Sequence, residues 1–300
     1  MAVRRARTTE ELAEKLAQFT TPEADEHLAE FRARPTDVII TPDAKCGTTF
    51  LQHVAHGIRT GGSMDFEEIS CVVPWVTTAF DIGIDLDAEQ EAEPRLFKSH
   101  DGAGIVPQGA RYIVAFREPI SRIVSLYRFL GDWFFDTDAI SLDEFAMTRL
   151  PDADSPYGYW HKLVSWWERR DDPDVLLFAY EDMTADIPGT VDRVAWFLDI
   201  DLDEETRERV IRQSSREFML EHVAQFDDHV LAQRFVERGL LPPGEGTGKV
   251  TPGPDGHPEP SAEIRGAYAS AWAERVTPST GFANYEAFRR AVNHERSRAG

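Results

Sequence analysis

The 300-residue chain predicts an α/β fold in one domain, with a central parallel sheet of about four to five strands flanked by helices. Three observations carry the prediction. Short apolar runs recur at 37–41, 95–98, 112–116 and 175–179, and such unbroken apolar strands suit a sheet covered on both faces. Each run is followed by a turn or by a stretch of helical period, which returns the chain in parallel through right-handed crossovers. The first run, Asp37-Val38-Ile39-Ile40-Thr41, is β-branched, ends at Pro42 and passes through a turn into a helix from Thr48 to about His56. Strand, loop, helix is the opening of a P-loop-like nucleotide-binding core.

The remaining elements follow in chain order. Residues 8 to 33 read as two helices, the first started by Thr8 or Thr9 ahead of Glu10 and Glu11, the second following the break at Thr20-Thr21-Pro22. Residues 1–36 are therefore expected to form a helical cap on a domain of 37–300. Further helices are expected at 119–130, 141–149, 157–170, 187–199, 203–224, 261–275 and 283–293. The stretch 239–260 is dense in glycine and proline and too long for an ordinary connection, so it reads as a lid or flexible loop.

Composition narrows the function. A formal net charge of −21 repels polyanions, which excludes nucleic acid as a partner and requires any anionic ligand to find a locally basic pocket. Only five of the 32 basic side chains are lysines: Lys15, Lys45, Lys98, Lys162 and Lys249. Arginine is the default cation here, so a lysine marks a place that needs a compact, mobile point charge. Cys46 and Cys71, the only cysteines, make no disulfide framework and fit a reducing compartment. The basic start, Met1 to Arg7, runs into polar sequence without a signal-peptide core, and no stretch reaches the roughly 18 apolar residues of a membrane span. The chain reads as cytoplasmic. His53 and His56 share a helix face but lack a carboxylate or cysteine at ligand spacing, so no metal is expected.

Two segments have the chemistry of an anion site. In Lys45-Cys46-Gly47-Thr48-Thr49-Phe50, Gly47 permits a tight turn, Thr48-Thr49 open a helix whose free N–H groups attract phosphate, and Lys45 reaches the same anion. A second strand ends in Arg117-Glu118-Pro119, with Ser125 eight residues after the arginine. A strand-end Arg and a Ser two turns into the next helix can converge on one phosphate. Either segment alone is also what an ordinary strand-to-helix turn looks like.

Together they resemble the sulfotransferases that use 3'-phosphoadenosine 5'-phosphosulfate (PAPS). In that family a Lys-Ser-Gly-Thr-Thr-Trp loop binds the 5' side of the cofactor, and an Arg eight residues before a Ser grips its 3'-phosphate. The resemblance implies that Lys45, Gly47, Thr48 and Thr49 hold the 5'-phosphosulfate, with Cys46 in place of Ser and contributing through its backbone N–H. It gives Phe50 the place of the adenine-stacking Trp, and Arg117 and Ser125 the 3'-phosphate. Arg95-Leu96-Phe97-Lys98-Ser99-His100 is similar to the family's Lys-Thr-His segment, which makes His100 the general base and Lys98 a sulfuryl contact. Tyr180, in Tyr180-Glu181-Asp182-Met183, and Ser214 and Met219 correspond to residues beside the nucleotide. The family's closing Arg-Lys-Gly segment is not cleanly present, and Lys249 is its nearest substitute. The resemblance spans about residues 37–253.

The activity implied is in-line sulfuryl transfer from PAPS to a hydroxyl or amine of a small-molecule or glycolipid acceptor, without a metal; a homodimer is left open. Two rivals stand beside it. A P-loop kinase shares the strand-loop-helix scheme, but the Walker glycines are missing from the first loop, and Gly246-Thr247-Gly248-Lys249 has Pro243 and Val250 where that motif needs Gly and Ser or Thr. A non-catalytic nucleotide-binding module would have no need of Lys45, Lys98 and His100 together.

Overall fold

The computed structural model describes residues 3–150, 155–243 and 258–296. Lys249 and most of the expected lid, 244–257, lie outside the described residues. Four parallel strands, β1 (Val38–Ile40), β2 (Leu96–Lys98), β3 (Arg111–Phe116) and β4 (Val175–Ala179), pair in the order β2-β1-β3-β4. Val38 pairs with Leu96 on one side and Arg111 on the other, and Tyr112 pairs with Val175.

Both faces of the sheet are covered, as the apolar runs require. Ile39, Phe97, Tyr112, Val114 and Leu177 enter one core, and Val38, Ile40, Leu96, Ile113 and Leu176 enter the other, as the two-residue period of a strand dictates. The second core is completed by α3 (Thr48–Thr60) and, later in the chain, by α9 (Ile187–Leu198) and α10 (Glu204–Gln213). The first and larger core takes in Ala6, Leu12 and Phe31, so the N-terminal helices α1 (Thr9–Leu16) and α2 (Pro22–Glu30) pack into the domain itself. Thr8 and Thr21 cap these two helices by accepting from Glu11 N and Ala24 N.

Between the strands lie α4 (Ile69–Val72), α5 (Pro119–Trp133), α6 (Leu142–Arg149) and α7 (Tyr159–Glu168). After β4 come α8 (Tyr180–Ala185), α9, α10, α11 (Arg216–Glu221), α12 (Val223–Phe226) and α13 (His229–Glu237), and α14 (Ala262–Arg275), α15 (Thr277–Thr280) and α16 (Tyr285–Arg296) close the chain. The helix expected over 203–224 is broken in three. Ser214 keeps helical backbone, Ser215 turns extended at ψ 147°, and the Ser215 hydroxyl accepts from Phe218 N to start α11. A serine whose side chain can replace a helical hydrogen bond favours a cap over continuation.

At the N-terminal ends of β1 and β2, Asp37 accepts two bonds from Arg95, at 2.9 and 2.7 Å, with both side chains fully buried. The opposite, C-terminal ends carry Thr41, Ser99, Arg117 and Tyr180, where open parallel sheets present their ligand crevice.

Candidate active site

The loop after β1 is fixed from below. Asp43 is fully buried and accepts from Arg122 Nε at 2.7 Å and Lys162 Nζ at 3.1 Å. Burial alone would raise the Asp43 carboxyl, but Arg122 and Lys162 outweigh it and hold the group below the ordinary carboxylate range. Its carbonyl accepts from Cys46 N at 3.0 Å, and Arg122 Nε also reaches Ala44 O at 3.3 Å. These bonds bend the loop sharply. Lys45 sits at φ 67° and Gly47 at φ 92°. A left-handed lysine costs roughly 1 kcal/mol, which the Asp43 anchor must offset. Gly47 is favoured by its left-handed φ, and a Cβ there would also press on the Tyr180 ring at 3.1 Å and displace the Met183 methyl. As the N-cap of α3 it brings no side chain to bond the first-turn N–H groups.

A cavity of about 1030 Å³ opens over this loop. Lys45, Gly47, Thr48, Thr49 and Phe50 line it from the loop and the start of α3. Lys98 and His100 enter from the end of β2, Arg117 and Ser125 from β3 and α5. Tyr180, Ser214 and Met219 complete the same wall. Segments spread from residue 45 to residue 219 are thus brought to one space. Cys46 is the exception among the described candidates. Its thiol is buried and turned toward Ala44 O at 3.8 Å, its N–H is already used by Asp43 O, and burial and the Asp43 charge push the thiol well above its ordinary value. Cys46 is thus engaged within the loop itself and does not line the cavity.

His100 is held in one tautomer. Its Nδ1 lies 2.8 Å from Pro42 O, which can only accept, so Nδ1 carries the proton and Nε2 the lone pair. Burial, aided by the charges of Lys98 and Lys162, pushes its pKa down to about 3. The imidazole is neutral across the physiological range. The two lysines are seated on rings: Lys98 Nζ is 4.1 Å from the centre of Trp75, Lys45 Nζ 4.2 Å from that of Phe129. Arg117 stacks over Tyr180 at 4.4 Å, and its backbone carbonyl accepts from Tyr159 Oη at 2.7 Å.

A model of the sulfotransferase domain matches residues 35–240, more than two thirds of the chain. The chain belongs to the sulfotransferase family. Among curated relatives, sulfotransferase 4A1 of Mus musculus is 29% identical over 233 residues, covering 74% of this chain and 75% of the relative. Sulfotransferase 1B1 of Canis lupus familiaris is 26% identical over 219 residues, 65% of this chain and 69% of the relative. A mouse sulfotransferase, SULT7A1 complexed with PAP, superposes with a TM-score of 0.62 at 18% identity, covering 94% of this chain and 96% of its own. Retinol dehydratase in complex with androsterone and the inactive cofactor PAP does so with a TM-score of 0.63 at 18% identity, over 89% and 86%. These structures share the fold of this sulfotransferase.

The donor set of this sulfotransferase fits a doubly phosphorylated nucleotide. Two hydroxyls, Thr48 Oγ1 and Ser214 Oγ, are buried at the cavity wall without a hydrogen-bond partner in the protein, a state that costs about 1–3 kcal/mol unless a ligand relieves it. Around the same cavity, Lys45, Lys98, Arg117, Arg128, Arg216 and Arg265 outnumber Glu118, Asp132, Asp228 and Glu259 in a chain of net charge −21. The N-terminus of α5 is not part of that offer, because Glu118 caps it by accepting from Ile120 N and Ser121 N.

Sequence reasoning missed the supporting residues. Asp43, Arg122 and Lys162 touch no expected ligand, and nothing in local pattern links Asp43 to a lysine 119 positions away. The scarcity of lysine was the available signal for Lys162.

Proposed function

We propose that this sulfotransferase moves the sulfuryl group of PAPS to a hydroxyl or amine of a small-molecule acceptor by in-line displacement, with His100 as general base. PAPS, when bound, supplies a sulfuryl group already activated by its link to phosphate. The observation that carries the reading is the His100 tautomer, with its Nε2 lone pair available beside Lys98 in the cavity that Lys45 and Arg117 also line. A neutral imidazole with an unprotonated Nε2 is the state a base needs at the start of the reaction, and such a base contributes roughly 10²- to 10⁴-fold in rate.

Lys45 and Lys98 supply fixed positive charge where negative charge grows on the leaving and equatorial oxygens. Arg117 and Ser125 suit the 3'-phosphate, Tyr180 and Phe50 the adenine, and the unpaired Thr48 and Ser214 hydroxyls further polar atoms of the nucleotide. Lys249 stays in the proposal as the closing cation. Apolar side chains, among them Phe19, Trp75, Val124, Trp133 and Leu231, also line the cavity. That lining suits a neutral alcohol, phenol or amine, or the sugar end of a glycolipid, over a polyanion.

Radiolabelled PAPS offered with panels of alcohols, phenols, amines and glycolipids tests the reading. Transfer to at least one class that disappears in His100→Ala is expected. A larger rise in melting temperature with ATP and magnesium than with PAP would instead favour a kinase-like nucleotide site.

A further inference from the structure

The C-terminal helix α16 lies beyond the residues matched by the family model, yet it is bonded to the strand ends that carry the nucleotide-site side chains. Tyr285, buried at its start, places Oη 2.7 Å from Glu181 Oε2 and 2.9 Å from Phe116 O, so one proton serves two acceptors. Phe116 is the last residue of β3, directly before Arg117. Glu181 directly follows Tyr180, and its other oxygen accepts from Glu118 N at 3.0 Å. One phenol and one carboxylate therefore clip residues 116–118 to residues 180–181, the two segments whose Arg117 and Tyr180 side chains stack at 4.4 Å. Arg289 and Asn293 hold the next residue, Asp182, with bonds of 2.6–2.8 Å.

We propose that Tyr285 is a positioning residue for the nucleotide: through Glu181 it fixes the separation of Arg117 and Tyr180, and with it the affinity for a ligand joining a phosphate to an aromatic base. The inference rests on the PAPS reading above. Burial pushes the Tyr285 phenol well above its ordinary value, so it stays a donor. Phenylalanine at 285 would keep the ring packing and remove only the donor.

Titration with PAP and steady-state kinetics of Tyr285→Phe separate this role from simple support of the fold. A hydrogen bond to a charged partner sets the expected scale, a rise of about tenfold in the Kd for PAP and the KM for PAPS with kcat at saturation unchanged. The effect should vanish in an Arg117→Ala background, because Tyr285 acts through Arg117. Glu181→Gln, which keeps Tyr285 packed, should weaken PAP in the same direction, and it serves if Tyr285→Phe folds poorly. A Tyr285→Phe protein of lowered melting temperature but wild-type Kd, or a full effect persisting without Arg117, overturns the inference alone. Wild-type protein that takes up no PAP overturns the PAPS reading and this inference with it.

Discussion

Replacing Asp43 by asparagine removes the single negative charge between Arg122 and Lys162 while keeping the size of the side chain. Both bonds are short, at 2.7 and 3.1 Å, the carboxylate is fully buried, and the two cations are only 13% and 10% exposed, so solvent screens them little. Breaking one partner out of a buried ion pair costs about 3–5 kcal/mol, because uncompensated charge is left behind. With an unfolding entropy of roughly 2.1 cal/mol/K per residue over this chain, the loss corresponds to a fall of about 5–8 °C in melting temperature. The pH dependence follows from the depressed Asp43 pKa. Its contribution is fully present above the unfolded carboxyl value near ~4 and is lost as pH falls through the lower folded value. The gap between wild type and Asp43→Asn should therefore be constant around neutrality and close only in acid. Function should follow stability through geometry, since Asp43 fixes the loop that holds Lys45 at φ 67°. KM for PAPS should rise by about tenfold or more, as a loop 1 Å out of place can cost a hundredfold. Thermal denaturation across pH, with and without PAP, together with initial rates, measures both effects. An Asp43→Asn protein that melts within ~1 °C of wild type at neutral pH and keeps its KM would refute the anchor.

Three further outcomes are expected. His100→Ala should lower transfer by roughly 10²- to 10⁴-fold while PAP still raises the melting temperature; an active variant would remove His100 as base. Because the His100 pKa is pushed down to about 3, the base is lost only as pH falls toward that value, so kcat/KM should show no inflection near the ordinary histidine value of ~6.5. An acid limb centred there would mean that the imidazole is solvated. Gly47→Ala should weaken PAP binding and cost about 1 kcal/mol in stability, because it places a Cβ at a left-handed φ and against the Tyr180 ring, and a wild-type melting curve and PAP affinity would contradict that.

What the sequence made legible was what local pattern encodes. The four strands lie where the apolar runs lie, and Gly47 stands at the left-handed position that its loop needed. The Ser214-Ser215 break was missed because both residues were absorbed into a longer helical period, although paired serines are themselves a capping signal. Cys46 was given a ligand role from its place in a motif. In the fold its N–H belongs to Asp43 O and its thiol to the layer beneath. The Asp43, Arg122 and Lys162 cluster, and the Tyr285 and Glu181 clip, join residues far apart in the chain, and such pairings leave no period or spacing to read.

The distribution of charge explains how a strongly acidic chain builds an anion site at all. Acidic groups at the back of the site are used up in internal bonds. Asp43 answers Arg122 and Lys162, Glu118 caps α5, Glu181 binds Glu118 N and Tyr285, and Asp182 is taken by Arg289. Lys45, Lys98 and Arg117 lie over the faces of Phe129, Trp75 and Tyr180. An aromatic face holds a cation without cancelling its charge. Ring contacts thus help to orient three of the cavity's cations. Exchanging Trp75 or Tyr180 for a carboxylate-bearing residue of similar reach should therefore reduce PAP affinity more than exchanging it for leucine. Equal losses from the two substitutions would show that the rings act only as apolar filling.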